Sequence, residues 1–226
     1  MEVPNVALKI GDCMAIAETI FGTYAQATAP SVSGGLAAAY FAKLHELLIS
    51  TTATTASKTR LSLDVAMHEA MASMWDVQAT GKKVMLIGNG GSAAIASHQA
   101  LDLWKAAGIR AISFNDAAQL TCLGNDFGYD KVFSKAIEMF AEPGDILIAI
   151  SSSGRSPNII DAVRAAKQTG CHVITFAGFD PHAPLVAEGD LNFYVNCDQY
   201  GLVEVAHMTL IHYLSDSLRD KGRSEA

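Results

Sequence analysis

At 226 residues the chain is long enough to bury one substantial core, and nothing in it demands two independent domains. Half of its residues are hydrophobic, yet no run of 18 or more escapes polar or charged interruption, which excludes a spanning helix. A formal charge of −7 without any Lys/Arg cluster argues against nucleic acid as a direct electrostatic partner, so any anion must be held locally.

The opening MEVPNVALKIGD has neither the basic nor the apolar region of a signal peptide, and a cytoplasmic protein is the expectation. Ile10 to Gln26 has helix-like apolar spacing and breaks near Pro30 and Ser33-Gly34-Gly35. A second helix is predicted over Leu36 to Ile49. Ser50 to Lys58, STTATTASK, is small and polar and reads as a linker. A third helix fits Leu61 to Gln78, with Leu63, Val65, Ala66, Ala70, Met71 and Met74 as its apolar stripe.

From Lys83 the pattern alternates: strand 83–87, helix 91–106, strand 109–114, helix 130–140, strand 145–150, helix 157–169, strand 171–176, strand 191–195 and helix 202–219. Such alternation predicts an α/β fold of three layers, a five-stranded parallel sheet of the flavodoxin-like nucleotide-binding type preceded by N-terminal helices. The expected division is a helical extension over 1–60 and the sheet domain over 61–226. Cys13, Cys122, Cys171 and Cys197 are widely separated and read as buried free thiols. Trp75 and Trp104 read as core residues of their helices.

Two turns carry the chemistry. VMLIGNGGS runs from a buried strand through Gly88, Gly90 and Gly91 into a helix, so backbone N–H groups and a helix N-terminus face an anion-sized space. DILIAI then runs into Ser151-Ser152-Ser153-Gly154-Arg155-Ser156-Pro157, where Ser156 is the expected N-cap and Pro157 the first helical residue. Both turns lie at carboxyl ends of strands, where ligands of parallel sheets sit. Two such cradles suit a phosphorylated ligand, with Arg155 assisting from the rim. His98 and Asp102 stand at i, i+4 on one helix face, a metal-ligand spacing.

The blocks GNGGSAA, GNDFGYD, ISSSGRSPN and VEVAHMTLIH, in that order, resemble the sugar isomerase (SIS) domain family and, within it, the phosphoheptose isomerases, over roughly Leu61 to Arg219. The resemblance implies an aldose–ketose isomerase converting sedoheptulose 7-phosphate to a heptose 7-phosphate through an enediol. It puts Ser92, Ser151, Ser152, Ser153 and Ser156 at phosphate-binding positions, Asn89 and Asp126 at sugar-hydroxyl positions, and Gly90 and Gly91 in the same substrate turn. It puts His98, Asp102, Glu204 and His212 at the catalytic and metal positions, with one zinc ion per chain, and it implies a homotetramer.

Against the family pattern, Asp102 stands for a Glu, Glu204 for a Gln and Gly201 for an Asp. The more anionic set favours a divalent cation. Asp102 is the first choice for the base with His212 as its acid/base partner, and Glu204 is the competing base. Glu204 and His212 are eight residues apart, about 12 Å of rise and roughly 80° of rotation on a straight helix, and are read as unable to hold one ion together from it. Either Glu204 precedes the helix or the two residues serve sites shared between subunits. His207, three residues from Glu204, is an intervening candidate that reads first as a histidine packing in the core or supporting a ligand.

Other readings are an isomerase for another phosphosugar, or a non-catalytic SIS module that binds a sugar phosphate or a protein; the retained helix carboxylate favours an enzyme. A kinase is excluded because Asp126-Phe127-Gly128 stands without a Gly-rich loop and strand lysine. A dinucleotide site using Asp116 would leave the serine turn and the His98/Asp102 pair idle.

Overall fold

The computed structural model describes residues 36–224, with side chains to residue 219; the expected helix at Ile10 to Gln26 lies outside the described residues. Helix α1 (Leu36–Ile49) is followed by an antiparallel hairpin, β1 (Thr52–Thr55) and β2 (Arg60–Leu61), and by α2 (Leu63–Ala79). Then come β3 (Val84–Gly88), α3 (Gly91–Ala106), β4 (Ala111–Ser113), α4 (Ala117–Phe127) and α5 (Val132–Phe140). The chain closes with β5 (Ile146–Ser151), α6 (Pro157–Thr169), β6 (His172–Gly178), β7 (Leu191–Val195) and α7 (Tyr200–Ser224). From Phe41 onward the described chain packs as one compact unit.

The sheet runs in the order β2-β1-β7-β6-β5-β3-β4, with β4, β3, β5, β6 and β7 parallel. Those five are the predicted strands, and their order is the flavodoxin-like one, whose reversal falls between β3 and β5. The expected linker is corrected: Thr52–Thr55 pairs with β7 antiparallel, Ala53 opposite Phe193, and extends the sheet to seven strands. Threonine-rich stretches suit a strand because β-branched side chains pack well on a pleated surface, a preference that the small polar composition concealed.

Alternate residues of the parallel strands feed two cores. Val84, Leu86, Ile146, Ile148 and Ile150 face α2, α3 and α7, while Met85, Ile87, Leu147 and Ala149 face α5 and α6. Three layers follow directly from this alternation.

Four further expectations are corrected. Helix α4 occupies a stretch with no predicted element; it buries no residue fully and sets only Leu120 and Leu123, half-buried, against the core, and it is started by Asp116, whose Oδ1 accepts the Gln119 N–H at 3.0 Å. Trp104 is 55% exposed, because α3 turns Ile95, Ala96, Gln99, Ala100 and Leu103 inward and the next position points away. On α2, Val65 is exposed while Met67 and Val77 join the core. Of the thiols described, Cys171 is buried, Cys197 intermediate and Cys122 exposed on α4, so the buried reading fails for Cys122. Among the described residues no helix is long and apolar enough to cross a membrane.

Candidate active site

Strand β3 ends at Gly88 and α3 begins at Gly91, with Gly90 as N-cap at φ 54°, a conformation that favours glycine. A Cβ at Gly91 would stand 2.5 Å from the Glu204 Cδ, so the Glu204 carboxyl lies directly over the first residue of α3. The positive end of α3 therefore faces a carboxylate supplied by α7.

The serine turn follows β5. Ser156 is the N-cap of α6 and Pro157 its first residue, as expected, but the Ser156 Oγ makes no capping bond and stands 3.4 Å from the Ser151 Oγ. The turn is tied by its backbone: Gly154 N–H donates to the Ser151 carbonyl and Gly178 N–H to the Ser152 carbonyl, both at 3.0 Å. Ser152 is only 4% exposed and its Oγ has no partner. A buried hydroxyl without a partner is costly and marks a place for a ligand. Arg155 is engaged in an ion pair with Asp180, whose carboxyl is held below the usual range first by the His182 N–H and then by Arg155.

The two turns close on one pocket of about 250 Å³, lined by Asn89, Gly90, Gly91, Ser92, the serines 151–153 and 156, Tyr200 and Glu204. It sits where the strand order reverses, between the carboxyl ends of β3 and β5. Tyr200 has no signal in the sequence; it is the first residue of α7, its ring edge-on to Phe179 at 4.7 Å. Asp126, expected near the sugar, is exposed on α4, accepts a bond from Asn125 Nδ2 at 2.9 Å, and is not among the pocket's lining residues.

A second cluster lies farther along α3 and α7. Asp102 Oδ2 is 3.2 Å from His98 Nε2 and 3.6 Å from His212 Nδ1, and the two imidazole rings stand 5.1 Å apart. Among the described residues these three are the one group of metal-capable side chains whose donor atoms lie within 4.8 Å of one another. Glu204 is not in it. Because α7 runs unbroken from Tyr200, Glu204 lies inside the helix, and the alternative that it precedes the helix is overturned. Within one chain, then, α7 serves two places: Glu204 the pocket and His212 the His98/Asp102 pair.

His207 is fully buried between them. Its Nε2–H donates to the Ala177 carbonyl at 3.1 Å and its Nδ1 is unpartnered, so it is a neutral packing residue. Burial pushes the imidazole down to about 4, against a small opposing effect of that hydrogen bond. With a folded value below the unfolded 6.5, the unfolded chain binds the proton more readily, and stability is lost as pH falls from about 6.5 towards 4. The full loss is about 3 kcal/mol. Melting curves across this range should show a shallower decline in His207→Gln than in the wild type; parallel curves would contradict this.

The SIS domain profile matches residues 39–178. The chain is 39% identical over 153 residues to the phosphoheptose isomerase of Geotalea daltonii, covering 65% of this chain and 79% of that one. It is 35% identical over 149 residues to the probable phosphoheptose isomerase of Thermoplasma acidophilum, covering 63% and 81%. Among solved structures, phosphoheptose isomerase GmhA from Neisseria gonorrhoeae superposes with a TM-score of 0.70 at 32% identity over 80% of this chain and 97% of that one. A phosphoheptose isomerase from Francisella tularensis does so with a TM-score of 0.70 at 27% identity, over 80% and 95%.

Proposed function

The chain belongs to the SIS domain family, and on that premise we infer that it is a phosphoheptose isomerase, interconverting sedoheptulose 7-phosphate and an aldoheptose 7-phosphate. The observation that carries this reading is the pocket at the sheet's switch point, which has the serine turn, with the unpartnered Ser152 hydroxyl, on one wall and the Glu204 carboxylate on the other. Hydroxyls and the N-terminus of α6 suit a phosphate dianion. Glu204 already brings negative charge to the glycine turn, so the phosphate belongs at the serine turn and the reacting carbons towards Glu204.

In this reading the base takes a proton from C1 of the open-chain ketose, and the C–H electron pair forms the C1–C2 double bond while the C2 oxygen gains a proton. The enediol then loses the proton of its C1 hydroxyl and receives one at C2, which leaves the aldehyde. Glu204 is the base we favour, because it is the carboxylate that lines the pocket, over the sequence-based first choice of Asp102. Asn89 and Ser92 are assigned to the sugar and phosphate oxygens, as is Asp126 if a neighbouring copy presents it.

The donor set of His98, Asp102 and His212, two imidazoles and a carboxylate, fits zinc with a coordination position left open. When bound there, such an ion supplies Lewis-acid polarisation of a carbonyl oxygen. Protein purified without chelator should carry close to one zinc per chain, falling sharply in His98→Ala; metal analysis finding none in either would remove the ion from the reading.

A homotetramer completes the proposal. Leu101, Trp104 and Ile112 on and beside α3, and Val205 on α7, are large apolar residues left exposed in the single chain. Leu101 and Trp104 share α3 with His98 and Asp102, which supports a site shared between subunits, with the His98/Asp102/His212 group of one copy serving beside the pocket of another. The cytoplasm is the compartment we assign, on the premise of a sugar-phosphate substrate. The test of the activity is incubation with a panel of C5 to C8 sugar phosphates and identification of product by NMR. Conversion of sedoheptulose 7-phosphate is expected; a flat result across the panel would move the chain to the non-catalytic modules of its family.

A further inference from the structure

Three segments far apart in the chain meet at the Asn89 amide. Asn89 belongs to the glycine turn and lines the pocket. Asn158, the second residue of α6, is 2% exposed and exchanges two hydrogen bonds with it: Asn89 Nδ2 donates to Asn158 Oδ1 and Asn158 Nδ2 donates to Asn89 Oδ1, each at 2.9 Å. Tyr129, in the turn after α4, donates its hydroxyl proton to the same Asn89 Oδ1 at 3.1 Å.

A carboxamide oxygen has two acceptor sites and its nitrogen two hydrogens. Both acceptor sites of Asn89 are filled from within the protein, and one of its N–H groups is given to Asn158. One N–H remains. We propose that Asn158 and Tyr129 are positioning residues that lock the Asn89 amide, so that towards the pocket it acts only as a hydrogen-bond donor and selects an acceptor oxygen of the ligand.

This rests on the phosphosugar reading of the pocket, whose oxygens all accept. The same reciprocal pair ties the glycine turn to the first turn of α6, and so sets the spacing of the two cradles across the switch point. The pair is a direct side-chain link between the two turns. Tyr129 reports on the lock cleanly, since the residue is 60% exposed and removing its hydroxyl creates no cavity in the core. Asn158 is buried, and its removal confounds positioning with folding.

The test is a cycle of four proteins: wild type, Tyr129→Phe, Asn89→Ala and the double variant, with the dissociation constant for sedoheptulose 7-phosphate measured by calorimetry. Tyr129→Phe should weaken binding about three- to tenfold, the size of one net hydrogen bond, and should have no effect once Asn89 is Ala. No loss in the first background, or an equal loss in both, overturns the proposal. Melting temperatures of the four give the cycle again without ligand. Coupling between Tyr129 and Asn89 in melting, with no sugar-phosphate binding by the wild type, would keep the lock and overturn the phosphosugar reading instead. Absence of coupling in melting overturns the lock itself.

Discussion

Glu204→Gln is expected to lower kcat by about 10²–10⁴-fold, the usual contribution of a general acid–base group, while KM changes little. The amide keeps the size and place of the carboxylate over Gly91 and cannot take a proton from carbon. Run in deuterated water, the wild type should place deuterium at C2 of the aldose product, and the variant should lose that incorporation. Asp102→Asn is expected to behave differently. Asp102 stands between two imidazoles within 3.6 Å, so its loss should remove metal and orientation first. If Asp102→Asn abolishes exchange at full metal occupancy while Glu204→Gln still exchanges, the roles are reversed and the shorter carboxylate is the base.

The second large effect concerns stability and lies at the opposite end of the central strands. Asp145 is fully buried at the start of β5. It accepts the Lys83 backbone N–H at 3.0 Å, the Lys83 ammonium at 2.6 Å and the Glu142 N–H at 2.8 Å. These bonds join the entrances of β3 and β5, the two strands whose far ends carry the site. Asp145→Ala leaves a largely desolvated ammonium and two backbone donors without their partner. Breaking a buried pair in this way costs about 3–5 kcal/mol, more than the pair itself is worth against an apolar replacement.

Urea unfolding of Asp145→Ala should show that loss, and Lys83→Met a smaller one, since the carboxylate keeps its backbone donors. A loss under about 1 kcal/mol would mean that water or a shifted side chain takes the place of Asp145. The same variant offers a spectroscopic reading. Cys171 is pushed up to about 11 by burial and then by the Asp145 charge, with Lys83 opposing, so its thiol should titrate lower once Asp145 is gone.

What could be read from the sequence was local. The apolar runs of β3 and β5, the glycine and serine turns after them and the N-cap at Ser156 are determined by residues within a few positions of one another, because strand period and turn chemistry act over that range. The i, i+4 spacing of His98 and Asp102 placed both on one face for the same reason. Helix α4 escaped because its apolar face is short, Leu120 and Leu123 alone being half-buried against the core, and β1 because its partner lies about 140 residues away on β7.

Only the tertiary structure decided which distant pieces meet. Strand order brings two turns some sixty residues apart to one pocket, and the pairing of Asn89 with Asn158 exists only through it. The phase of α7 against α3 sends Glu204 to the pocket and His212 to the imidazole cluster. Helical period sets the angle between two side chains on one helix but not the direction in which either faces. That direction is set by the packing of Val203, Ala206, Leu210 and Ile211 into the core, and so by partners that the local sequence does not contain.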